Sequence, residues 1–200
     1  MKNTREHIIE VSLLLFLQKS YRDVTMKEIV DKTGLSKGAF YHYFSSKEEL
    51  FKEITKSFFT MGTVDYASFS NFSLKEFYHQ YIEYLNASIT QLSVLVDPTG
   101  EGKASLNIFL IMFEAINRFP EFLKLELEVY KRDMDNWVHI ISIARFNGEI
   151  KSPSTDEDIA RLFLYCTDGV FLRYVNNEKS ASYKEYLSSV YNSIYDNLRV

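Results

Sequence analysis

Hydrophobic residues recur along most of the chain at every third or fourth position, the spacing of one face of an α-helix. Leu74, Phe77, Tyr81 and Leu85 form one of the clearest runs. No segment alternates apolar and polar residues for long enough to indicate a β-strand. The pattern therefore predicts an all-α protein.

Helix starts are marked by a hydroxyl residue with Glu three positions later, the capping-box pattern. It occurs at Thr25–Glu28, Ser46–Glu49, Ser73–Glu76 and Ser182–Glu185. Together with the apolar spacing, these starts predict about nine helices. The predicted ranges are 3–19, 25–32, 36–43, 46–62, 73–95, 103–117, 120–147, 155–177 and 182–198.

The second and third predicted helices are joined by a short turn that contains Gly34. Glycine readily takes the positive φ that ends a helix, and two helices joined in this way form a helix-turn-helix. In this motif the second helix lies in the major groove of DNA, with its first residues against the base edges. The turn therefore predicts a DNA-binding domain.

The start of the third helix carries Lys37, Gly38 and Ala39, although glycine inside a helix costs about 1 kcal/mol relative to alanine. Small side chains at this position would let the backbone come close to DNA. An alanine methyl can contact a thymine methyl, and Lys37 can donate to guanine or to a phosphate. Unlike the four capping-box helices, this helix has no Glu at its third position to repel phosphates. We interpret the segment as a DNA-reading surface.

The stretch TMKEIVDKTGLSKGAFYHYFSSKEELF, residues 25–51, is similar nearly position for position to the signature of the TetR family of bacterial transcriptional regulators. Residues 4–62 resemble the DNA-binding domain of that family. The resemblance implies a DNA-binding domain over 1–62, including the linking helix 46–62, and a helical ligand-binding and dimerisation domain over 63–200. It implies phosphate contacts from Thr25, Ser36, Tyr41, His42 and Lys47, and groove contacts from Lys37, Gly38, Ala39 and Tyr41.

The last two predicted helices form the expected dimer surface, which the resemblance also implies. Gly169 would let another helix approach closely, and tyrosines supply the amphipathic area that interfaces favour. The alternative is that these tyrosines cover the core of a single subunit. The predicted interface residues are Gly169, Tyr183, Tyr186, Val190, Tyr191 and Ile194.

Aromatic and methionine side chains concentrate in the predicted helices of the second domain, a composition that suits a small apolar or aromatic ligand. Such a ligand would release a repressor from a palindromic operator. The alternatives are that the aromatic stripe is ordinary core, or that this domain binds a protein rather than a small molecule. The predicted ligand-binding residues are Phe77, Tyr81, Phe109, Phe113, Trp137, Tyr165 and Asp168.

Charge and cysteine content narrow the class of protein further. The net charge of −4 divides into +2 over residues 1–56 and −6 over the remainder, which favours a polyanionic partner for the N-terminal part. The single cysteine excludes an internal disulfide. No histidine has metal-ligand spacing and no catalytic motif occurs, so we predict no enzyme, no metal site and no cofactor.

The apolar run from Ile8 to Leu17 follows Lys2 and Arg5, as the hydrophobic segment of a signal peptide would. Glu6 and Glu10 interrupt it, and no small-residue cleavage site follows. No later apolar run is long enough to span a bilayer. The sequence therefore predicts a cytoplasmic protein with no membrane partner.

Overall fold

The computed structural model describes residues 3–61, 63–96, 106–176 and 182–200. Within these ranges the protein consists of nine α-helices and one short 3-10 helix, Tyr66–Ser68, which confirms the predicted fold class. The α-helices are α1 Thr4–Gln18, α2 Met26–Thr33, α3 Lys37–Tyr41, α4 Lys47–Met61, α5 Leu74–Val96, α6 Leu106–Arg118, α7 Pro120–Phe146, α8 Asp156–Asn176 and α9 Tyr183–Leu198.

The described helix ends lie within two residues of the predicted ones. Several helices begin one residue later than predicted, because the capping residue itself has extended backbone angles and lies outside the helix. Thr25, for example, has φ −106° and ψ 152° in front of α2. The predicted ends at residues 62, 103 and 177 lie outside the described residues.

The four capping patterns are realised to different extents. Ser182 and Glu185 make both contacts of the capping box at α9. At the other three helices the hydroxyl accepts a hydrogen bond from the backbone N–H of the third residue, but the glutamate carboxylate is engaged elsewhere. Glu28 accepts from Lys19, Glu49 from Ser45, and Glu76 from Ser70.

The helices pack into two compact units. The first combines the described parts of residues 1–62 and 91–126, and the second those of 63–90 and 127–200. In the first unit the Phe51 ring lies 5.1 Å from that of Phe16 and 6.3 Å from that of Phe119, measured between centroids. Packing thus groups the end of α5, all of α6 and the start of α7 with the helix-turn-helix, whereas a functional boundary at residue 62 stays a prediction.

In the second unit, the core is a cluster of aromatic rings around Trp137. Trp137 is fully buried on α7 and stacks on Phe163 of α8 at a centroid distance of 4.7 Å. Tyr191 of α9 is also fully buried and meets Trp137 edge to face at 5.7 Å. These contacts join α7, α8 and α9 through large rings, whose burial is a major stabilising contribution.

A carboxylate from a distant turn caps the N-terminus of α5. Glu149 follows Gly148, which ends α7 with φ 73°. Its carboxylate accepts hydrogen bonds from the backbone N–H groups of Leu74 (2.9 Å) and Lys75 (3.0 Å), and from the hydroxyls of Ser73 (3.0 Å) and Tyr195 (3.1 Å). One side chain thereby ties the α7–α8 turn to the first turn of α5 and to α9.

Candidate functional site

The helix-turn-helix has the predicted local geometry. Gly34 ends α2 with φ 68°, in the left-handed region that glycine favours. Ser36 caps α3, and its hydroxyl oxygen accepts from the backbone N–H of Ala39 at 3.2 Å. Phe40 is fully buried in the core of the first unit and anchors the short helix. Since only Phe40 of α3 points into the core, the rest of this helix is available to a partner.

Six of the predicted DNA-binding residues share this outward surface. They are Ser36, Lys37, Gly38, Ala39, Tyr41 and His42, and all are exposed.

The glycine on this surface has no structural requirement. A Cβ atom built on Gly38 would meet nothing within 4 Å, and its φ is not among the positive values found at Gly34 and Gly148. Neither packing nor backbone geometry in the described part of the chain therefore explains a glycine here.

Thr25 lies at the start of α2, exposed like the α3 residues. Its hydroxyl oxygen accepts from the backbone N–H of Glu28 at 3.2 Å, and the hydroxyl keeps its own proton for donation. Lys19 pairs with the Glu28 carboxylate at 2.5 Å, which lowers the pKa of Glu28 and offsets the negative charge beside Thr25. This arrangement can accommodate an anion at the start of α2.

Lys47 is more enclosed than the sequence indicated. Its Nζ donates to the carbonyl oxygens of Tyr21 (2.8 Å) and Val24 (2.7 Å) and lies 4.4 Å from the centroid of the Tyr21 ring. The Arg118 guanidinium lies 4.5 Å from the same centroid. Burial, and secondarily Arg118, lowers the pKa of Lys47. Lys47 thus holds the turn before α2, and one of its three N–H donors remains for a phosphate.

The predicted ligand-binding residues do not form one group. Phe77, Tyr81 and Trp137 lie together in the second unit, where both Phe77 (5.1 Å) and Tyr81 (5.2 Å) meet the indole edge to face. Tyr165 and Asp168 are exposed on α8. Phe109 and Phe113 belong to the first unit, where Phe113 is 65% exposed. Three of the seven residues are therefore brought together.

Two of the predicted dimer residues need correction. Tyr183 and Tyr191 are 2% and 0% exposed in the single chain, so they cannot offer surface to a second subunit. Their rings pack in the core of the second unit, as the alternative interpretation stated. Gly169 and Tyr186 are exposed, and Val190 and Ile194 are half-buried.

Sequence reasoning missed a set of polar side chains beside the aromatic core. Tyr66 from the 3-10 helix and Arg132 and Asp133 from α7 place buried polar atoms next to one another. Burial raises the pKa of Asp133 to about 6, while Tyr66 and Arg132 lower it and Asp168 raises it further. The sequence carried no signal for this set, because Tyr66 lies in a segment that reads as a connection and α7 is rich in exposed charges.

The Asp133 environment predicts a pH-dependent stability. Because the pKa of Asp133 in the folded state is raised above the ordinary value of 3.8, the ionised carboxylate lowers the free energy of unfolding. Protonation of the carboxylate restores that free energy as the pH falls through about 6. Relative to an Asp133→Asn variant, the wild type should gain about 1 kcal/mol in free energy of unfolding between about pH 7 and pH 5. Urea titrations at both pH values measure this, and parallel pH trends in the two proteins would contradict it.

The part of the chain that contains the helix-turn-helix is similar to a known protein family. Residues 8–54, which contain α2, α3 and most of α1 and α4, match the family model described as bacterial regulatory proteins, tetR family. The N-terminal region of the chain is thus of the TetR type. Its fold and the proteins that it matches are those of transcriptional regulators rather than enzymes.

Among the similar proteins is the transcriptional repressor KstR2 of Mycolicibacterium smegmatis, 21% identical over 174 residues that cover 85% of this chain and 78% of that protein. The uncharacterized regulator YuxN of Bacillus subtilis is 50% identical, but over only 25% of this chain and 17% of its own. The structure of KstR2 from Mycobacterium tuberculosis superposes with a TM-score of 0.69 at 16% identity, covering 100% of this chain and 97% of that one. The high identity is thus limited to about a quarter of the chain, whereas the fold is shared over its whole length.

Two further observations concern metal binding and membrane insertion. In the part of the chain that the structure describes, no three His, Cys, Asp or Glu side chains are placed to bind a metal ion. None of the described helices is long and apolar enough to cross a membrane.

Proposed function

We propose that this TetR-type transcriptional regulator is a homodimeric repressor. It binds a near-palindromic operator with α3 in the major groove, and a small apolar or aromatic molecule in the second unit releases it. The observation that carries the proposal is the outer surface of α3, where Lys37, Gly38 and Ala39 are exposed and nothing in the described residues requires a glycine.

The residues at the centre of this surface suit contacts to bases, and those around it suit contacts to phosphates. Gly38 and Ala39 let the helix backbone approach the base edges, where the Ala39 methyl can meet a thymine methyl and Lys37 can donate to guanine. Thr25, Ser36, Tyr41 and His42 are exposed around this centre and suit the flanking phosphates. Base contacts would give sequence specificity, and phosphate contacts would fix the position of the domain.

Dimerisation is proposed through the exposed sides of α8 and α9. Leu162 and Tyr165 of α8 are 51% and 55% exposed, and Gly169 lies one turn beyond Tyr165 with open space where a Cβ would be. Tyr186 adds an exposed aromatic side chain on α9. A two-fold dimer would place its two α3 helices about 34 Å apart, one turn of DNA, which explains the need for a palindrome.

Release by a ligand follows if the ligand prefers a form of the dimer whose spacing does not fit the operator. A ligand that binds this form about 100-fold more tightly supplies about 2.7 kcal/mol of coupling, enough to act as a switch. The buried cluster of Phe77, Tyr81 and Trp137 is the proposed apolar lining for such a ligand. The competing possibility is a second unit that binds a protein instead.

Selection of bound duplexes from a random DNA pool, using the purified full chain at near-physiological salt, tests the DNA-binding part of the proposal. Recovery of a near-palindrome with two half-sites is the expected result. Recovery of a single unrepeated half-site would contradict the dimer, and salt-sensitive binding without any preferred sequence would contradict specific recognition.

Replacing Lys47 with alanine is expected to weaken binding to all DNA sequences and to lower the salt slope of binding by about one. It should also reduce the free energy of unfolding by about 1–3 kcal/mol, because two part-buried hydrogen bonds to backbone carbonyls are lost. DNA affinity measured at several salt concentrations gives the salt slope, and urea titration gives the free energy of unfolding. Lys131→Ala, at an exposed position on α7, is the control and should change neither quantity. An unchanged salt slope in the Lys47 variant would leave this lysine a purely structural role.

A further inference from the structure

Five buried polar atoms of the second unit have no hydrogen-bond partner among the described residues. They are the Tyr66 hydroxyl, Nε and Nη2 of Arg132, Oδ1 of Asp133 and Nε1 of Trp137. Such groups are costly to bury, and native proteins satisfy nearly all of them. The presence of five such atoms in one unit therefore indicates that another molecule contacts them.

These atoms belong to one location. Arg132 Nη2 and Asp133 Oδ1 lie 3.7 Å apart, an ion pair that is too long for a hydrogen bond. The Tyr66 hydroxyl lies close enough to the Asp133 carboxylate to lower the pKa of that carboxyl, although no hydrogen bond of good geometry joins the two groups. Trp137 lies one helical turn after Asp133 on α7, so the two side chains share a face of that helix.

Aromatic rings surround the polar atoms. The Tyr66 ring stacks on Phe77 at 5.7 Å and on Tyr81 at 6.3 Å, measured between centroids, with interplanar angles of 7° and 11°. Phe77 and Tyr81 both contact the Trp137 indole. The location thus combines flat apolar surfaces with unsatisfied donors and acceptors, the composition of a small-molecule site.

We propose that Tyr66, Arg132, Asp133 and Trp137 form the polar end of the effector site, and that the effector is a flat, uncharged molecule whose polar group both donates and accepts hydrogen bonds. The inference rests on the proposed release by a small molecule and specifies the chemical class of that molecule. A carboxamide on an aromatic or heteroaromatic ring is the simplest group of this class.

The balance of charge and hydrogen bonding selects this class. Arg132 and Trp137 supply donors, Asp133 supplies an acceptor, and the Tyr66 hydroxyl can act as either. An anionic ligand would meet the Asp133 carboxylate, and a cationic ligand would meet the Arg132 guanidinium. An amide oxygen can accept from Arg132 or Trp137 while the amide N–H donates to Asp133. A neutral group with both functions therefore satisfies the set without leaving a charge unpaired.

Trp137 is the only tryptophan of the chain, so its fluorescence reports directly on this location. The experiment titrates the full chain, without DNA, with four probes that share a benzene ring: benzamide, acetophenone, benzoate and benzyltrimethylammonium. Probes of this size bind weakly, and each is followed to about 10 mM. Benzamide is expected to change the fluorescence at the lowest concentration, at least about 10-fold below the other three.

Asp133→Asn supplies the second arm of the experiment. It removes the negative charge and leaves Arg132 uncompensated, so the preference should move from benzamide to benzoate. Asp135→Asn, the same substitution at an exposed position two residues further along α7, is the matched control and should keep the wild-type order. A Tyr66→Phe variant should weaken benzamide binding by about 3- to 10-fold, because it removes one hydroxyl.

Three results would overturn the inference. These are no fluorescence change with any probe, tighter binding of the cation or the anion by the wild type, or an unchanged order in Asp133→Asn. The first would mean that internal water satisfies the five atoms. Selection of an operator by the same preparation would then leave DNA recognition intact, so that failure of this inference and failure of the DNA-binding proposal are distinguishable.

Discussion

Replacing Gly38 with leucine is expected to lower operator affinity by at least about 100-fold, equivalent to about 2.7 kcal/mol, while the chain remains folded. A Cβ at this position would project from the exposed surface of α3 into open space, so we expect the packing of the fold to be kept. Leucine also has a better helix propensity than glycine by nearly 1 kcal/mol, so the free energy of unfolding should not fall. The loss of affinity would come from the increased distance between the α3 backbone and the bases.

Gly38→Ala is the graded control for this experiment. A single methyl should stabilise the fold by about 0.5–1 kcal/mol and reduce operator affinity less than leucine does. Fluorescence anisotropy on the selected duplex gives the affinities, and thermal unfolding gives the stabilities. If the leucine variant bound the operator as well as the wild type, close approach at Gly38 would play no part in recognition.

Replacing Glu149 with alanine is expected to lower the free energy of unfolding of the second unit by about 2–4 kcal/mol. The carboxylate accepts four hydrogen bonds, two of them from backbone N–H groups in the first turn of α5. Those N–H groups have no partner within the helix, so alanine would leave them to water or unsatisfied. The loss should exceed that of an ordinary capping residue, about 1 kcal/mol, because the hydrogen bond from Tyr195 of α9 is lost at the same time.

Glu157→Ala is the matched control for Glu149, since it removes an exposed glutamate from the first turn of α8. Its expected cost is at most about 1 kcal/mol, from the helix dipole alone. Amide hydrogen exchange should show faster exchange at Leu74 and Lys75 in the Glu149 variant only. Equal stabilities of the two variants would mean that water replaces the Glu149 carboxylate at little cost.

The helices were predictable because local signals specify them. The apolar spacing and the hydroxyl caps at Thr25, Ser36 and Ser182 act within one or two turns, and the structure places all three in front of their helices. The exposed surface of α3 was predictable for the same reason, because Gly38 contradicts helix propensity and the deviation is visible in the sequence alone.

Contacts between distant residues were not predictable. The Glu149 carboxylate contacts the backbone of Leu74, which lies 75 positions earlier in the chain. The Tyr21 ring likewise contacts Arg118 of α6, and no rule of sequence spacing joins either pair. The burial of Tyr183 and Tyr191 could not be predicted either, because a tyrosine on a helix suits both a subunit interface and a protein core. Only the tertiary packing decides which of the two it covers.

The shared core of α1, α4 and α6 limits how such regulators can be recombined. Ile111, Ala115 and Phe119 are buried in the same cluster as Phe16 and Phe51, so a fragment cut after α4 would uncover the inner side of its own DNA-reading domain. A chimera that grafts residues 1–62 onto a foreign ligand domain would have to inherit a compatible α6 with them. Exchange of specificities between regulators of this kind is therefore expected to succeed by substitution on the α3 surface, and to fail by transplanting the N-terminal helices alone.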